Sequence, residues 1–234
     1  MAALTLGLPS KGRLMEATIA WFAERGIAIR RSGSGREYAA IAEGVDGLEV
    51  VMLAAGEIPR ELDRGRIHLG VTGEDLIREK IAGWESRVRI PARMGFGHAD
   101  LVVAVPAWWV DVETMADLDA ACAQFRARHG TALRIGTKYH VLTRAFFRLK
   151  GVADYRIVDS QGATEAGPKN QSFEALVDIT SSGETLSANH LRVLADGLIL
   201  QSEACLCLSL AAEWGADATA ARGRLGAKLG LALG

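Results

Sequence analysis

Short apolar runs that alternate with polar loops and helical segments are the feature that most constrains the fold of this chain. Strands are predicted at residues 5–9, 48–53, 67–71 and 133–136, and a segment with helical spacing follows each of them after a short loop. Strands that alternate with helices pair in parallel sheets, whose ligands bind at the carboxyl ends of the strands. The sequence therefore predicts an α/β protein with polar functional residues in its strand-to-helix loops.

The turn Gly95-Phe96-Gly97 marks a predicted division of the chain into two lobes. Two glycines within three residues, directly before a predicted strand, suit a hinge or a close approach of the backbone to a ligand. A long apolar strand, predicted at residues 198–210, returns the chain to the first lobe. We therefore expect residues 1–97 and 193–234 to form one lobe and residues 98–192 the other, with a cleft between them.

Composition and charge argue against several classes of function. The formal net charge of −1 gives no general attraction to nucleic acid or to an anionic membrane, and no run reaches the ~20 apolar residues of a membrane span. The first residues lack the basic and long apolar segments of a signal peptide, so we expect a cytoplasmic protein. The five histidines have no metal-ligand spacing, and we expect no metal site built from protein side chains. Cys205 and Cys207 alternate along an apolar run, as buried thiols in a reducing compartment would.

A loop rich in hydroxyl groups follows a buried strand predicted at residues 173–179. Asp178 lies at the end of this strand, Gly183 lets the backbone approach a ligand, and a helix is predicted to begin at Glu184. The loop N–H groups and the helix N-terminus favour a phosphate, and the Asp178 carboxylate can accept hydrogen bonds from ligand hydroxyl groups. The segment therefore suits a sugar phosphate, although an ordinary strand–turn–helix junction with a Ser or Thr cap is the alternative. The hydroxyl groups that can donate to a phosphate belong to Thr180, Ser181, Ser182 and Thr185.

Other strand-to-helix junctions also carry polar residues. Lys11 and Arg13 follow the first strand, where they either bind a phosphate or form a solvated basic turn. Residues 72–76 and 137–139 form two further junctions of this kind. The helix after the last of these is predicted to bury a stripe composed of Leu142, Phe146 and Leu149.

Taken together, six segments resemble ATP phosphoribosyltransferase, the enzyme family that opens histidine biosynthesis. Each segment alone is weak, but six in the family's order along nearly the whole chain are specific. The segments are residues 7–14 (GLPSKGRL), 70–76 (GVTGEDL), 95–97 (GFG), 137–139 (TKY), 162–165 (GATE) and 178–186 (DITSSGETL). The resemblance implies a two-lobed α/β fold similar to that of periplasmic binding proteins, with the active site in the cleft between the lobes. It also implies transfer of the phosphoribosyl group of phosphoribosyl pyrophosphate to N1 of ATP, with release of pyrophosphate and with substrate-bound Mg²⁺ as cofactor.

The resemblance assigns roles to residues in both expected lobes. It implies that Glu165 and Asp178 are catalytic and bind the ribose hydroxyl groups, and that Lys138 and Tyr139 face the cleft. The second lobe would bind phosphoribosyl pyrophosphate through Glu165, Asp178, Thr180, Ser181, Ser182, Gly183, Glu184 and Thr185. The first lobe would bind ATP near Lys11, Arg13, Thr72, Gly73, Asp75, Gly95, Phe96 and Gly97.

The chain departs from the family pattern at two loops. Ser10 lengthens the opening loop relative to the more usual L-P-K-G-R-L, and His140-Val141 replaces the Pro-Asn that commonly follows Thr-Lys-Tyr.

The chain resembles the short form of the family, which works with a regulatory subunit similar to histidyl-tRNA synthetase. The resemblance thus implies a hetero-oligomer with that subunit and a homodimer when the chain is alone.

Two alternative functions belong to other classes. A nucleotide-salvage phosphoribosyltransferase usually carries two adjacent acidic residues before its phosphate loop, whereas only Asp178 precedes the loop here. A non-catalytic, bilobal solute-binding protein would share the architecture, but it would need an export signal. The basic loop at Lys11 and Arg13 also argues against a solute-binding protein.

Overall fold

The chain forms two compact α/β units in the computed structural model, which describes residues 4–31 and 39–233. The first unit comprises Met1–Gly97 and Glu203–Gly234, and the second comprises His98–Ser202. The predicted α/β class and the two-part organisation are confirmed. The chain passes between the units twice, after Gly97 and after Ser202.

Strands and helices alternate along both units. The first unit contains β1 (Leu4–Pro9), α1 (Gly12–Ala23), β2 (Ala28–Arg31), β3 (Ala39–Glu43), β4 (Leu48–Leu53), α2 (Ile58–Asp63), β5 (Leu69–Gly73), α3 (Glu74–Lys80), a 3-10 helix (Trp84–Ser86) and β6 (Val88–Arg93). The second unit contains β7 (Ala99–Pro106), α4 (Met115–His129), β8 (Leu133–Thr137), α5 (His140–Leu149), β9 (Tyr155–Asp159), a 3-10 helix (Thr164–Ala166), β10 (Ala175–Thr180), α6 (Glu184–Ala188) and β11 (Leu191–Ser202). The chain returns to the first unit with β12 (Ala204–Ser209) and α7 (Ala216–Leu229).

The sheet of the first unit brings several strand ends to one edge. Among the described residues it has seven strands, in the order β2-β3-β4-β1-β5-β12-β6. The strands β4, β1 and β5 are parallel, and β12 runs antiparallel to both β5 and β6. The central strands are apolar runs buried on both faces, and Leu6, Leu69 and Leu206 are fully buried. The carboxyl ends of β1, β4, β5 and β6 therefore meet the start of β12 at one edge, which we call the first edge.

The sheet of the second unit has a comparable edge. Within the described part of the chain its five strands follow the order β11-β7-β10-β8-β9. The strands β10, β8 and β9 are parallel, while β7 is antiparallel to β10 and β11. The carboxyl ends of β8, β9 and β10 consequently meet the start of β7 and the end of β11. We call this the second edge.

The returning strand differs from the prediction. The apolar run expected to form one strand at residues 198–210 is two strands in two sheets, with the change of sheet at Glu203. Residues 193–202, which we expected in the first lobe, belong to the second unit because β11 stays paired with β7 as far as Ser202. Gln201, Ser202 and Glu203 interrupt the apolar run at this break, but a polar interruption alone does not show that the strands on either side belong to different sheets.

The helix α5 buries a different face from the one predicted, and α7 forms where no element was predicted. In α5, Leu149 is 80% exposed, and Thr143 and Phe147 are the buried residues. The face that packs inward is set by the Phe147 ring, which lies 4.7 Å from that of Tyr155 on β9. The Ala- and Gly-rich tail forms α7, whose Leu225 is buried in the core of the first unit.

The three cysteines lie in the interior of the two units. Cys122, Cys205 and Cys207 are buried free thiols, as we predicted for the last two. Of the helices in the described ranges, none has the length and apolar character needed to cross a bilayer.

Candidate functional site

The basic loop lies at the first edge. Lys11 and Arg13 are exposed at the start of α1, and Gly12 between them has a φ of +74°. The Ser10 N–H donates to the Leu53 carbonyl over 2.8 Å, which fixes the loop against the end of β4. The loop therefore presents two cations beside the carboxyl ends of β1 and β4.

The junction between β5 and α3 is more deeply buried than the sequence suggested. The Thr72 hydroxyl is fully buried and donates to the Ala55 carbonyl over 2.9 Å, so it ties β5 to the loop after β4. Gly73 is half-buried, and Asp75 is only 6% exposed. We expected Thr72 to bind ATP, but its hydroxyl group is already used in a hydrogen bond within the protein.

Sequence reasoning missed a buried charge cluster next to this junction. The Glu74 carboxylate is fully buried and accepts from Arg78 over 2.5 Å and from Arg93 at the end of β6. The hydrogen bond that Arg93 donates to this carboxylate raises the pKa of Arg93. Buried charges persist when they are paired in this way. The Arg93 guanidinium is half-exposed at the first edge. No sequence motif indicates its pairing with Glu74, because the two residues are 19 positions apart and belong to different elements.

The glycine turn also lies at the first edge. Gly95 and Gly97 have φ values of +75° and +67°, a region that side chains disfavour. The Gly95 N–H donates to a carboxylate oxygen of Glu203 over 2.8 Å, and the Ala204 N–H donates to the Phe96 carbonyl over 2.9 Å. Glu203 is a second residue that sequence reasoning missed.

Asp178 lies at the second edge with a cation beside it. Its Oδ1 accepts from the Ile179 N–H over 2.8 Å and lies 3.6 Å from the Lys138 Nζ. The parallel pairing of β8 with β10 produces this contact, since Gly136 pairs with Leu176 two residues earlier in each strand. The Tyr139 ring, which we expected to face a ligand, is 1% exposed and lies in the interior of the second unit.

The hydroxyl-rich loop follows β10 directly. The Thr180 hydroxyl accepts from the Gly183 N–H over 2.9 Å, and Gly183 has a φ of +77°. The Ser181 hydroxyl donates to the His98 carbonyl over 3.0 Å, which joins the loop to the segment before β7. Ser182, Glu184 and Thr185 are exposed. Because α6 contains only five residues, the hydroxyl groups and loop N–H groups must supply most of any phosphate recognition.

Glu165 lies on a 3-10 helix that packs against β10. The Phe173 ring fixes this helix, because it contacts the backbone on both sides at glycines. A Cβ on Gly136 of β8 would lie 2.2 Å from the ring, and one on Gly167 would lie 1.9 Å from it. Only glycines allow this packing, which holds the half-buried Glu165 segment to the same sheet as Asp178.

The second edge therefore brings together two carboxylates, one ammonium group and a hydroxyl-rich loop. These groups can accept from sugar hydroxyls and donate to a phosphate. Across the described residues, no group of three or more His, Cys, Asp and Glu side chains is arranged to hold a metal ion.

Comparisons with known proteins identify the family. The family model HisG, ATP phosphoribosyltransferase, matches residues 54–221. The chain is 59% identical to an ATP phosphoribosyltransferase of Cereibacter sphaeroides over 98% of this chain and 97% of that one. It is 60% identical to one from Chelativorans sp. over 88% of this chain and 90% of that one.

Solved structures agree at the level of the fold. The structure is similar to an ATP phosphoribosyl transferase (HisG:HisZ) complex from Thermotoga maritima, with a TM-score of 0.71 and 23% identity, covering 97% of this chain and 96% of that one. An ancestral arginine-binding protein bound to arginine has a TM-score of 0.55 and 9% identity over 98% of this chain and 92% of that one. The predicted likeness to bilobal binding proteins is thereby confirmed. The chain belongs to the ATP phosphoribosyltransferase family, and its reaction is the family's transfer of a phosphoribosyl group to ATP in the first step of histidine biosynthesis.

Proposed function

We propose that the second edge binds phosphoribosyl pyrophosphate and that the first edge binds ATP. The observation that carries the proposal is the position of Asp178, Lys138 and the loop at residues 180–185 at the end of β10. The loop suits the ribose 5-phosphate, while the Glu165 and Asp178 carboxylates suit the ribose hydroxyl groups. At the first edge, Lys11 and Arg13 suit the ATP phosphates, and the turn at residues 95–97 lets the backbone approach the nucleotide.

The proposed chemistry forms one bond and breaks one. N1 of ATP donates its electron pair to C1 of the ribose, and the bond between C1 and the pyrophosphate oxygen breaks with its electrons leaving on pyrophosphate. Positive charge develops on the ribose, and the carboxylates of Glu165 and Asp178 stabilise it electrostatically. The Lys138 ammonium, 3.6 Å from Asp178, holds this carboxylate in place and offsets negative charge on the substrate. The rest of the rate enhancement comes from holding the two substrates in line.

Mg²⁺ fits this proposal as an ion carried by the substrate. The carboxylate oxygens of Asp178 and Glu165 are hard ligands of the type that Mg²⁺ accepts alongside substrate phosphates and water. When bound, the ion would neutralise charge on the departing pyrophosphate.

The proposal extends to location and assembly. The solved complex from Thermotoga maritima pairs HisG with HisZ. By analogy with it, we propose that this chain works with a regulatory subunit similar to histidyl-tRNA synthetase, forms a homodimer alone and acts in the cytoplasm.

The test is the release of pyrophosphate from phosphoribosyl pyrophosphate, with different acceptors, with and without the regulatory subunit. Release only with ATP is expected, and stimulation by the subunit would support the short-form assembly. Release with a free purine or pyrimidine base would instead indicate a nucleotide-salvage enzyme. If folded protein released none under any condition, a binding-only protein would be the better interpretation, in line with the fold of the arginine-binding protein.

A further inference from the structure

Glu203 connects three segments at the first edge. Its carboxylate accepts from the Gly95 N–H over 2.8 Å, and its main-chain carbonyl accepts from the Glu74 N–H over 3.1 Å. The next residue, Ala204, donates to the Phe96 carbonyl and accepts from the Met94 N–H, each over 2.9 Å. Two consecutive residues therefore fix both the glycine turn and the start of α3.

The carboxylate of Glu203 provides a hydrogen-bond acceptor for the glycine turn. The strand β6 ends at Arg93, and Gly95 lies beyond it in a left-handed conformation. The Gly95 N–H is exposed, so water competes for it, and an ionised carboxylate is a stronger acceptor than a neutral oxygen. The carboxylate thus favours one conformation of a turn whose two glycines would otherwise permit many.

The charges near Glu203 are arranged around Arg93. The buried carboxylate of Glu74 holds the Arg93 guanidinium, and the charge of Glu203 acts on the same group. Loss of the Glu203 charge would therefore leave the pairing of Glu74 with Arg93 intact, since their hydrogen bond does not involve Glu203. A variant at Glu203 can remove the contact with the turn while this buried pair remains.

We infer that Glu203 is a positioning residue, which holds the turn at residues 95–97 in the conformation that binds ATP. The inference rests on the proposed function for the assignment of this turn to ATP. Neither the family motifs nor the sequence pattern indicates Glu203, because it lies at the break between β11 and β12 and its partner Gly95 is distant in sequence.

The first experiment measures hydrogen exchange of the amides at residues 95–97 in the full chain. Glu203→Ala should speed the exchange of the Gly95 amide, and Glu203→Asp should do the same because the shorter side chain cannot span the distance. Glu203→Gln keeps an oxygen acceptor and should retain most of the protection. The control is Glu174→Ala, which removes a carboxylate that also accepts a main-chain N–H, that of Arg134 over 2.8 Å, in the other unit. It should leave exchange at residues 95–97 unchanged.

The second experiment measures the affinity of the same variants for ATP and for phosphoribosyl pyrophosphate. Glu203→Ala and Glu203→Asp should weaken ATP binding about threefold to tenfold, as expected for one hydrogen bond, with the affinity for phosphoribosyl pyrophosphate unchanged. Glu203→Gln should rescue ATP binding. If wild-type protein binds ATP and the Ala and Asp variants bind it equally well, the positioning role is wrong. If wild-type protein shows no ATP affinity at all, the proposed function fails instead.

Discussion

At the scale of single residues, the most informative contact is that between Lys138 and Asp178. The two side chains come from neighbouring parallel strands, and the ammonium lies 3.6 Å from the carboxylate. Asp178 also accepts from its neighbouring main-chain N–H. The carboxylate is therefore oriented by the protein itself, which reduces the cost of orienting it when the substrate binds.

We predict that Asp178→Asn lowers kcat/KM for phosphoribosyl pyrophosphate roughly tenfold to hundredfold, as expected for hydrogen bonds to a charged group. The amide has the same shape but cannot stabilise positive charge on the ribose. Steady-state kinetics would measure the effect, with circular dichroism to verify the fold. Asp159→Asn, at the end of β9 on the far side of β8, is the control, because Asp159 binds His140 and Gln161. Equal losses in both variants would contradict a specific role for Asp178.

Sequence reasoning identified which residues lie at the edges but not all of their contacts. Asp178 and the loop at residues 180–185 were predictable because a turn rich in Ser, Thr and Gly after an apolar run has a local signature. The pairing of Asp178 with Lys138 depends on strand order and register, which a single sequence does not encode locally. The buried hydroxyl of Thr72 and the contact of Glu203 with Gly95 depend on distant backbone groups in the same way.

At the scale of secondary-structure elements, the Phe173 ring determines where the Glu165 helix lies. It packs against Gly136 on β8 and Gly167 after the 3-10 helix, closer than any Cβ would allow. Because protein interiors are densely packed, a displacement of this ring would shift the residues around it.

We predict that Gly167→Ala destabilises the protein by about 1–3 kcal/mol, because the added methyl group must displace the Phe173 ring. The shift should also lower kcat/KM for phosphoribosyl pyrophosphate, since Glu165 is two residues away. Urea unfolding and kinetics would measure both effects. Gly162→Ala is the matched control, because a Cβ there has open space around it. A normal stability and a normal rate in Gly167→Ala would show that the ring does not position the helix.

The opposite end of β8 has an ion pair with a defined pH dependence. Burial opposes ionisation of Glu174, but hydrogen bonds from Arg134 outweigh it and lower the pKa of this carboxyl group. The stability that the pair contributes is therefore fully present above the unfolded pKa of about 4.3, and it is lost as the pH falls through the lower folded pKa.

We predict that the difference in free energy of unfolding between wild type and Glu174→Gln is largest near pH 7 and shrinks below about pH 4. Urea titrations from pH 7 to pH 3 would measure this difference. Glu24→Gln should show no comparable trend, because Glu24 is 73% exposed in a surface pair with Arg25. A difference for Glu174→Gln that stays constant with pH would contradict the role of ionisation.

Element boundaries were less predictable than element types. The helix α4 has clear capping residues at both ends, because Thr114 caps its N-terminus and Gly130 ends it in a left-handed conformation. The split between β11 and β12 was not predicted, because the polar residues Gln201, Ser202 and Glu203 that mark it do not show that the two strands pair in different sheets. In α5, both candidate stripes contain apolar residues, and only the packing of Phe147 on β9 decides which of them is buried.

At the scale of the whole molecule, the three thiols report on each unit separately. Cys122 lies in the second unit, and Cys205 and Cys207 lie in the first. Burial raises the pKa of Cys122 and Cys205 to about 12, and it raises that of the fully buried Cys207 as well. Only the thiolate reacts with a disulfide reagent.

We predict that native protein is nearly inert to such a reagent at pH 8, while protein in guanidinium releases three equivalents. Cys122→Ala would report only on the first unit, and the double variant Cys205→Ala, Cys207→Ala would report only on the second. Their reaction rates in native buffer would measure how often each unit opens. A thiol that reacts in native protein as fast as free cysteine would contradict its burial.

The chain passes between the units after Gly97 and after Ser202, and this determines the order in which the two sheets can be completed during synthesis. The second unit is continuous, so all of its strands have been synthesised before Ala204 is added. The sheet of the first unit is completed later, because β12 lies between β5 and β6 in it. Neither of these strands can pair with β12 until residues 204–209 have emerged. Domains generally fold in the order in which they are made. Here the first unit, although its synthesis starts earlier, can complete its sheet only after the whole of the second unit has been synthesised.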